Sequence, residues 1–160
     1  MLISKGRIMT DSEKELVKKY PEAAAFAGVA ESVWNGSSSA AKVEMEVKGR
    51  LHAELNRLLG KDIKIVFLTD SDIRHIKKKH GRSETGRGQA DITPDDFALI
   101  PLVLNEFDKA EHDMTDKMGN KKLLFQKKCG GIVYVATVER GESKAEVRTF
   151  WKMRDPGASC

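Results

Sequence analysis

Two of the four histidines, His75 and His80, lie in the densest run of positive charge, His75-Ile76-Lys77-Lys78-Lys79-His80. They are the clustered groups that titrate near neutral pH, where an imidazole can take or give a proton. Near the end of the chain Arg148 and Thr149 offer a cation and a hydroxyl, and Trp151 shares a strand face with Thr149 by alternation. Histidines, a cation and a hydroxyl make a set for general acid–base chemistry on a bound polyanion without a metal. RNA suits that chemistry best, because its 2′-hydroxyl is a built-in nucleophile. Positioned acid–base groups contribute about 10²–10⁴-fold each, and cationic or neutral donors at the developing charge add to this.

Other chemistries are disfavoured by spacing. Two metal ligands on one helix want i, i+4, as in His-Glu-x-x-His, and His75 and His80 are five apart. A zinc set drawn from His75, His80, His112 and Cys129 has no recognised spacing. No Gly-x-Ser-x-Gly elbow is present. Cys129 stands in an expected turn with lysines as its neighbours, an odd place for a nucleophile. Asp70/Asp72 and Asp95/Asp96 both read as helix-start chemistry, which argues against a magnesium nuclease. Gly86-Arg87-Gly88 lacks the Gly-Lys-Ser/Thr of a phosphate loop.

The elements that must position these residues follow from pattern. The β-branched run Ile63-Lys64-Ile65-Val66-Phe67-Leu68 predicts a strand that enters the two-histidine helix. Thr69 or Ser71 caps that helix, Asp70 and Asp72 suit its positive end, and Gly81 stops it. At about 100° per residue, Ile73, Ile76 and His80 share a face, while His75 falls beside Asp72 and Lys79. His80 is therefore expected where the buried stripe meets a cleft, and His75 over the charged face.

Upstream, Thr10 and Glu13 have capping-box spacing, and Pro21 opens a second, alanine-rich helix. Asn35-Gly36-Ser37-Ser38-Ser39 reads as a hinge. A longer helix is expected over roughly Ala40 to Leu59, from the stripe Val43, Val47, Leu51, Leu55 and Leu58, with His52 on its surface. Downstream, residues 82–89 read as a mobile basic loop. Thr93-Pro94-Asp95-Asp96 starts a helix that Pro101 should break. His112 is expected in a solvated loop. Three β runs, 123–128, 132–138 and 147–153, joined by glycine turns, make an antiparallel meander. The fold class is α+β: helices packed on a small antiparallel sheet. Residues 1–38 form an amino-terminal helical appendage, 39–154 the α+β body and 155–160 a flexible tail.

Composition sets bounds. Hydrophobic content of 40% and charged content of 32% describe a globular chain, and a net charge of +4 with a pI near 9.0 suits a polyanionic partner. Two cysteines make no disulfide framework. A reducing setting is expected, cytoplasmic or delivered there from a virion, with no membrane span and no cofactor.

The order of these features resembles the phage-associated barnase/EndoU/colicin/RelE-like nucleases. The residues that carry it are His75-Ile76-Lys77-Lys78-Lys79-His80, then Ile100-Pro101-Leu102-Val103-Leu104-Asn105-Glu106-Phe107-Asp108, then Arg148-Thr149-Phe150-Trp151. The resemblance runs from about Leu51 to Met153. It implies a few helices on a four-stranded antiparallel sheet and a metal-independent endoribonuclease of phage, prophage or toxin type. It places the active centre on His75, His80 and Thr149. Lys79, Arg82, Lys128 and Arg148 would hold the RNA backbone, and Trp151 would stack a base. An immunity protein or a phage structural partner would fit that setting. The alternative is a non-catalytic module, either a nucleic-acid binder whose basic helix lies along phosphates or a phage structural or interaction module.

Overall fold

The computed structural model describes residues 11–36, 40–80, 89–128 and 130–154, without the side chains of residues 12, 13 and 89. Arg82, Gly81, Cys129 and the 155–160 segment, all named above, lie outside the described residues.

Two helices lead, α1 (Asp11–Lys19) and α2 (Glu22–Trp34). Strand β1 (Lys42–Glu46), helix α3 (Gly49–Leu59), strand β2 (Ile65–Thr69) and helix α4 (Asp70–His80) follow. Next come a two-residue β3 (Gln89–Ala90), a 3-10 turn (Pro94–Ala98) and α5 (Leu99–Glu106). The chain then runs through β4 (Lys109–Thr115), β5 (Lys121–Lys128), β6 (Ile132–Arg140) and β7 (Lys144–Met153).

The sheet order is β1-β2-β7-β6-β5-β4, with β3 added to β7. Among the described residues every pairing is antiparallel except β2 with β7. The α+β class and the carboxy-terminal meander are as the sequence indicated. One face of the sheet is covered by the helices. Phe26 of α2, Phe97 of the 3-10 turn, Phe125 of β5 and Phe150 of β7 are fully buried in one core. Phe97 meets Phe150 edge to face, with centroids 5.3 Å apart. Because Phe26, Ala30 and Val33 also lie in this core, α2 packs as part of the body.

Three expectations are corrected. The helix expected from Ala40 begins only at Gly49, and Lys42–Glu46 is a strand. Val43, Met45 and Val47 are buried while Lys42, Glu44 and Glu46 are exposed, a period of two. Val43 and Val47 also stand four apart, so a helical stripe fits them equally well. Pairing with β2 decides the matter, opposing Val43 to Leu68 and Met45 to Val66. The second correction is β4, expected as a loop. It is an edge strand whose residues are nearly all exposed, so it has no apolar face to announce it. His112 sits on it, its Nε2 3.1 Å from Thr115 Oγ1.

Pro101 does not end its helix. It occupies the first turn of α5, where a missing N–H costs nothing. The break falls earlier, where the 3-10 turn gives way to α-helix at Leu99. Thr93 and Asp96 form a reciprocal capping box at the start of that turn.

Candidate active site

The site forms where the sheet opens beside β7. Parallel pairing of β2 with β7 covers only Ile65↔Lys144, Val66↔Ala145 and Phe67↔Glu146. The strands then part. Helix α4 packs against β7 there, and β3 resumes the pairing at Lys152 and Met153. The polar residues of α4 thereby meet the middle of β7.

A shift in register sets what β7 offers there. Ala136 pairs with Thr149 and Thr137 with Val147, which leaves Arg148 as an extra residue on β7. Val147 and Phe150 are buried, and between them Arg148 and Thr149 are two consecutive partly exposed residues. Without the bulge, strict alternation would send one of them into the core.

Helix α4 begins with a capping box. The Thr69 N–H and hydroxyl donate to Asp72 Oδ2 at 3.1 and 3.0 Å, and the Asp72 N–H donates to Thr69 Oγ1 at 3.2 Å. The other oxygen of Asp72, Oδ1, receives Nη1 of Arg148 at 3.0 Å. That same Nη1 lies 3.5 Å from Glu146 Oε2, and Glu146 Oε1 receives Nε of Arg140 at 2.8 Å. Asp72 is 1% exposed. Burial first, and then its hydrogen bond with Glu146, push the Asp72 carboxyl well above the usual carboxylate range. Burial also acts on Glu146, but the hydrogen bonds from Asp72 and Arg140 and the charges of Arg140 and Arg148 outweigh it and hold Glu146 low.

His75 is exposed, one turn beyond Asp72 on the same side of α4. Burial, then the charges of Arg148, Lys79 and Lys78, hold its imidazole below the ordinary 6.5. Its neutral form is thus favoured. His80, half-buried at the end of α4, stacks against Trp151 with ring centroids 5.8 Å apart and planes at 24°. Trp151 in turn stacks on Tyr134, its partner in β6, at 4.9 Å and 11°. The indole thus stacks on both rings. Trp151 is neither a core tryptophan nor a bare platform.

His80 therefore reaches β7 through Trp151, while His75, about 140° away on the helix at about 100° per residue, feels the charge of Arg148. Buried Asp72, Ile73 and Ile76 define the arc that packs inward. His80 lies within that arc at its last turn, and His75 one step outside it on the Asp72 side. Of the other expected residues, Thr149 stands on β7 two residues before Trp151, and Lys79 is exposed on α4. Lys128 is exposed at the end of β5, opposite Ile132, which itself opposes Met153. That register puts Lys128 at the Trp151 end of the sheet but two strands away, roughly 10 Å at the usual strand spacing. Among the described residues no three His, Cys, Asp or Glu side chains group as metal ligands.

Asp72 and Glu146 were not among the residues expected to work. Asp72 carries a helix-start signal, and its second role depends on a residue 76 positions away. Glu146 stands in a strand with no sequence mark at all. Tyr134 was read only as part of a strong strand.

The chain belongs to the family described as phage-Barnase-EndoU-ColicinE5/D-RelE like nuclease3, whose pattern matches residues 45–157. It is thus a nuclease-family domain with a nucleic-acid substrate class. No curated protein and no solved structure matches it. Among the described residues no helix is long and apolar enough to cross a membrane.

Proposed function

We propose that this domain is an endoribonuclease that works by general acid–base catalysis without a metal and leaves a 2′,3′-cyclic phosphate. The observation that carries the reading is the bulge in β7, which sets Arg148 and Thr149 side by side on a strand flanked by His75 and His80. His75, favoured in its neutral form, serves as the base that takes the 2′-hydroxyl proton. The 2′-oxygen attacks phosphorus, the bond to the 5′-oxygen breaks, and His80 gives that oxygen a proton. The products are a 2′,3′-cyclic phosphate and a 5′-hydroxyl. His80, stacked on the indole of Trp151, takes the acid role.

Arg148 and the Thr149 hydroxyl meet the charge that develops on the phosphoryl oxygens. Lys79, Arg82 and Lys128 hold the flanking backbone. Trp151 stacks on His80 and offers its exposed part to a base. A domain of this kind suits a phage or toxin setting, in which a cell's own RNA is the target.

The test is incubation of mixed RNA with the purified protein in EDTA, beside His75→Ala and His80→Ala. Cleavage to fragments with cyclic phosphate ends is expected from the wild type, reduced by about 10²–10⁴-fold in either variant. Intact RNA with salt-sensitive binding would replace this reading with the non-catalytic module.

A further inference from the structure

Two carboxyl groups lie under Arg148, and packing alone does not call for them. Asp72 comes from α4 and Glu146 from β7, with 1% and 8% exposure. Burying acids is costly unless each oxygen is satisfied. Here each is: Asp72 Oδ2 takes the Thr69 cap, Asp72 Oδ1 and Glu146 Oε2 face one arginine nitrogen, and Glu146 Oε1 takes Arg140.

Both contacts to Arg148 fall on Nη1, while the side chain remains 43% exposed. A guanidinium has five N–H donors in a rigid fork. Anchoring one nitrogen from below fixes the plane of the fork and leaves donors for an outside anion. A lone arginine on a strand would spend that order from binding energy each time a phosphate arrived.

We propose that Asp72 and Glu146 are positioning residues for RNA cleavage: they anchor Arg148 at the bulge of β7 so that its remaining donors meet the scissile phosphate beside His75. The inference rests on the ribonuclease reading. It makes the helix cap and the phosphate contact two ends of one carboxylate, so the start of α4 and the reactive site are aligned together.

The experiment compares wild type, Asp72→Asn, Glu146→Gln, Arg148→Ala and the Asp72→Asn/Arg148→Ala pair. It measures steady-state RNA cleavage and binding of a fluorescein-labelled 2′-O-methyl RNA oligonucleotide, which lacks the nucleophile. Thermal melts check folding. Arg148→Ala should lower kcat by about 10²–10³-fold. Asp72→Asn should lower kcat at least tenfold with KM changed less than threefold, and should add less than twofold to Arg148→Ala. Glu146→Gln leaves the Thr69 cap untouched and should show the same kcat loss. It decides the matter if Asp72→Asn does not fold. Folded variants with kcat within twofold of wild type, or effects that multiply in the pair, overturn the proposal. A wild type that binds the oligonucleotide but never cleaves RNA overturns the ribonuclease reading. In that case the same non-additivity in binding upholds the anchor and additivity overturns it. A wild type that neither binds nor cleaves overturns both.

Discussion

On the helix-covered face of β6 and β7, Val133, Val135, Val147 and Phe150 are fully buried. On the other face the same two strands carry Tyr134, Thr149 and Trp151, together with the Arg140–Glu146–Arg148 chain. The covered face is held by area removed from water, which needs volume and shape but no particular partner. The open face is held by directed contacts, each of which needs a named partner at a fixed distance. A single bulge divides the two, because it keeps both Val147 and Phe150 inside while Arg148 and Thr149 stay out. Stability and chemistry are thus carried by adjacent residues of one strand, where each can be disturbed separately.

The largest expected effect breaks the covered face. Phe150→Ala removes a ring that touches Phe97 and should cost about 3–5 kcal/mol. For a domain of this size that lowers the melting temperature on the order of 10 °C. Its neighbour Thr149→Val, on the open face, should leave the melt within about 0.5 kcal/mol and reduce cleavage. Thermal melts and RNA cleavage on the two variants check this. Equal losses of stability at 149 and 150 would erase the division.

A smaller effect, of opposite sign, tests whether the covered face tolerates polarity. Thr137 is 1% exposed, and its hydroxyl has no hydrogen-bond partner among the described residues. It faces Val147 across the bulge. A buried donor left unpaired costs about 1–3 kcal/mol, so Thr137→Val should raise stability by about 1 kcal/mol or more. Chemical denaturation measures it, and a loss of stability would show that the hydroxyl is needed where β7 bulges.

The covered face was largely legible in the sequence, and the open face was not. The apolar runs of β2, β5, β6 and β7, the stripe of α4 and the proline-led helix starts each follow from local pattern. Where local pattern failed, two causes can be named. In 42–47 the period of two and a spacing of four coincide, and only the partner strand decides between them. In β4 every side chain but that of Ala110 is exposed, so no alternation exists to be read. The site is harder for a different reason. His75 and His80 were visible as a pair, and the helix wheel placed each of them correctly. The role of Asp72 was hidden because a capping acid looks the same whether or not its second oxygen holds an arginine. Tyr134 and Trp151 meet only through the register of β6 with β7, and that register depends on a bulge at Arg148 that no residue type marks.

The smallest effect sharpens the open face by sign alone. His75 is held low by burial and then by Arg148, the largest of the charges acting on it. Removing that charge in Arg148→Ala should move the His75 titration upward. The same substitution uncovers Asp72 and Glu146, whose negative charge acts in the same direction. The sign also appears in stability. A histidine that titrates lower in the folded chain binds fewer protons than the unfolded chain, so stability is lost as pH falls through 6.5. Arg148→Ala should weaken that loss. Titration of the His75 ring protons by NMR, in wild type and Arg148→Ala, measures the shift directly. A downward or absent shift would mean that Arg148 does not act on His75 through space. The base and the phosphate contact would then be separate features of the open face, not one electrostatic unit.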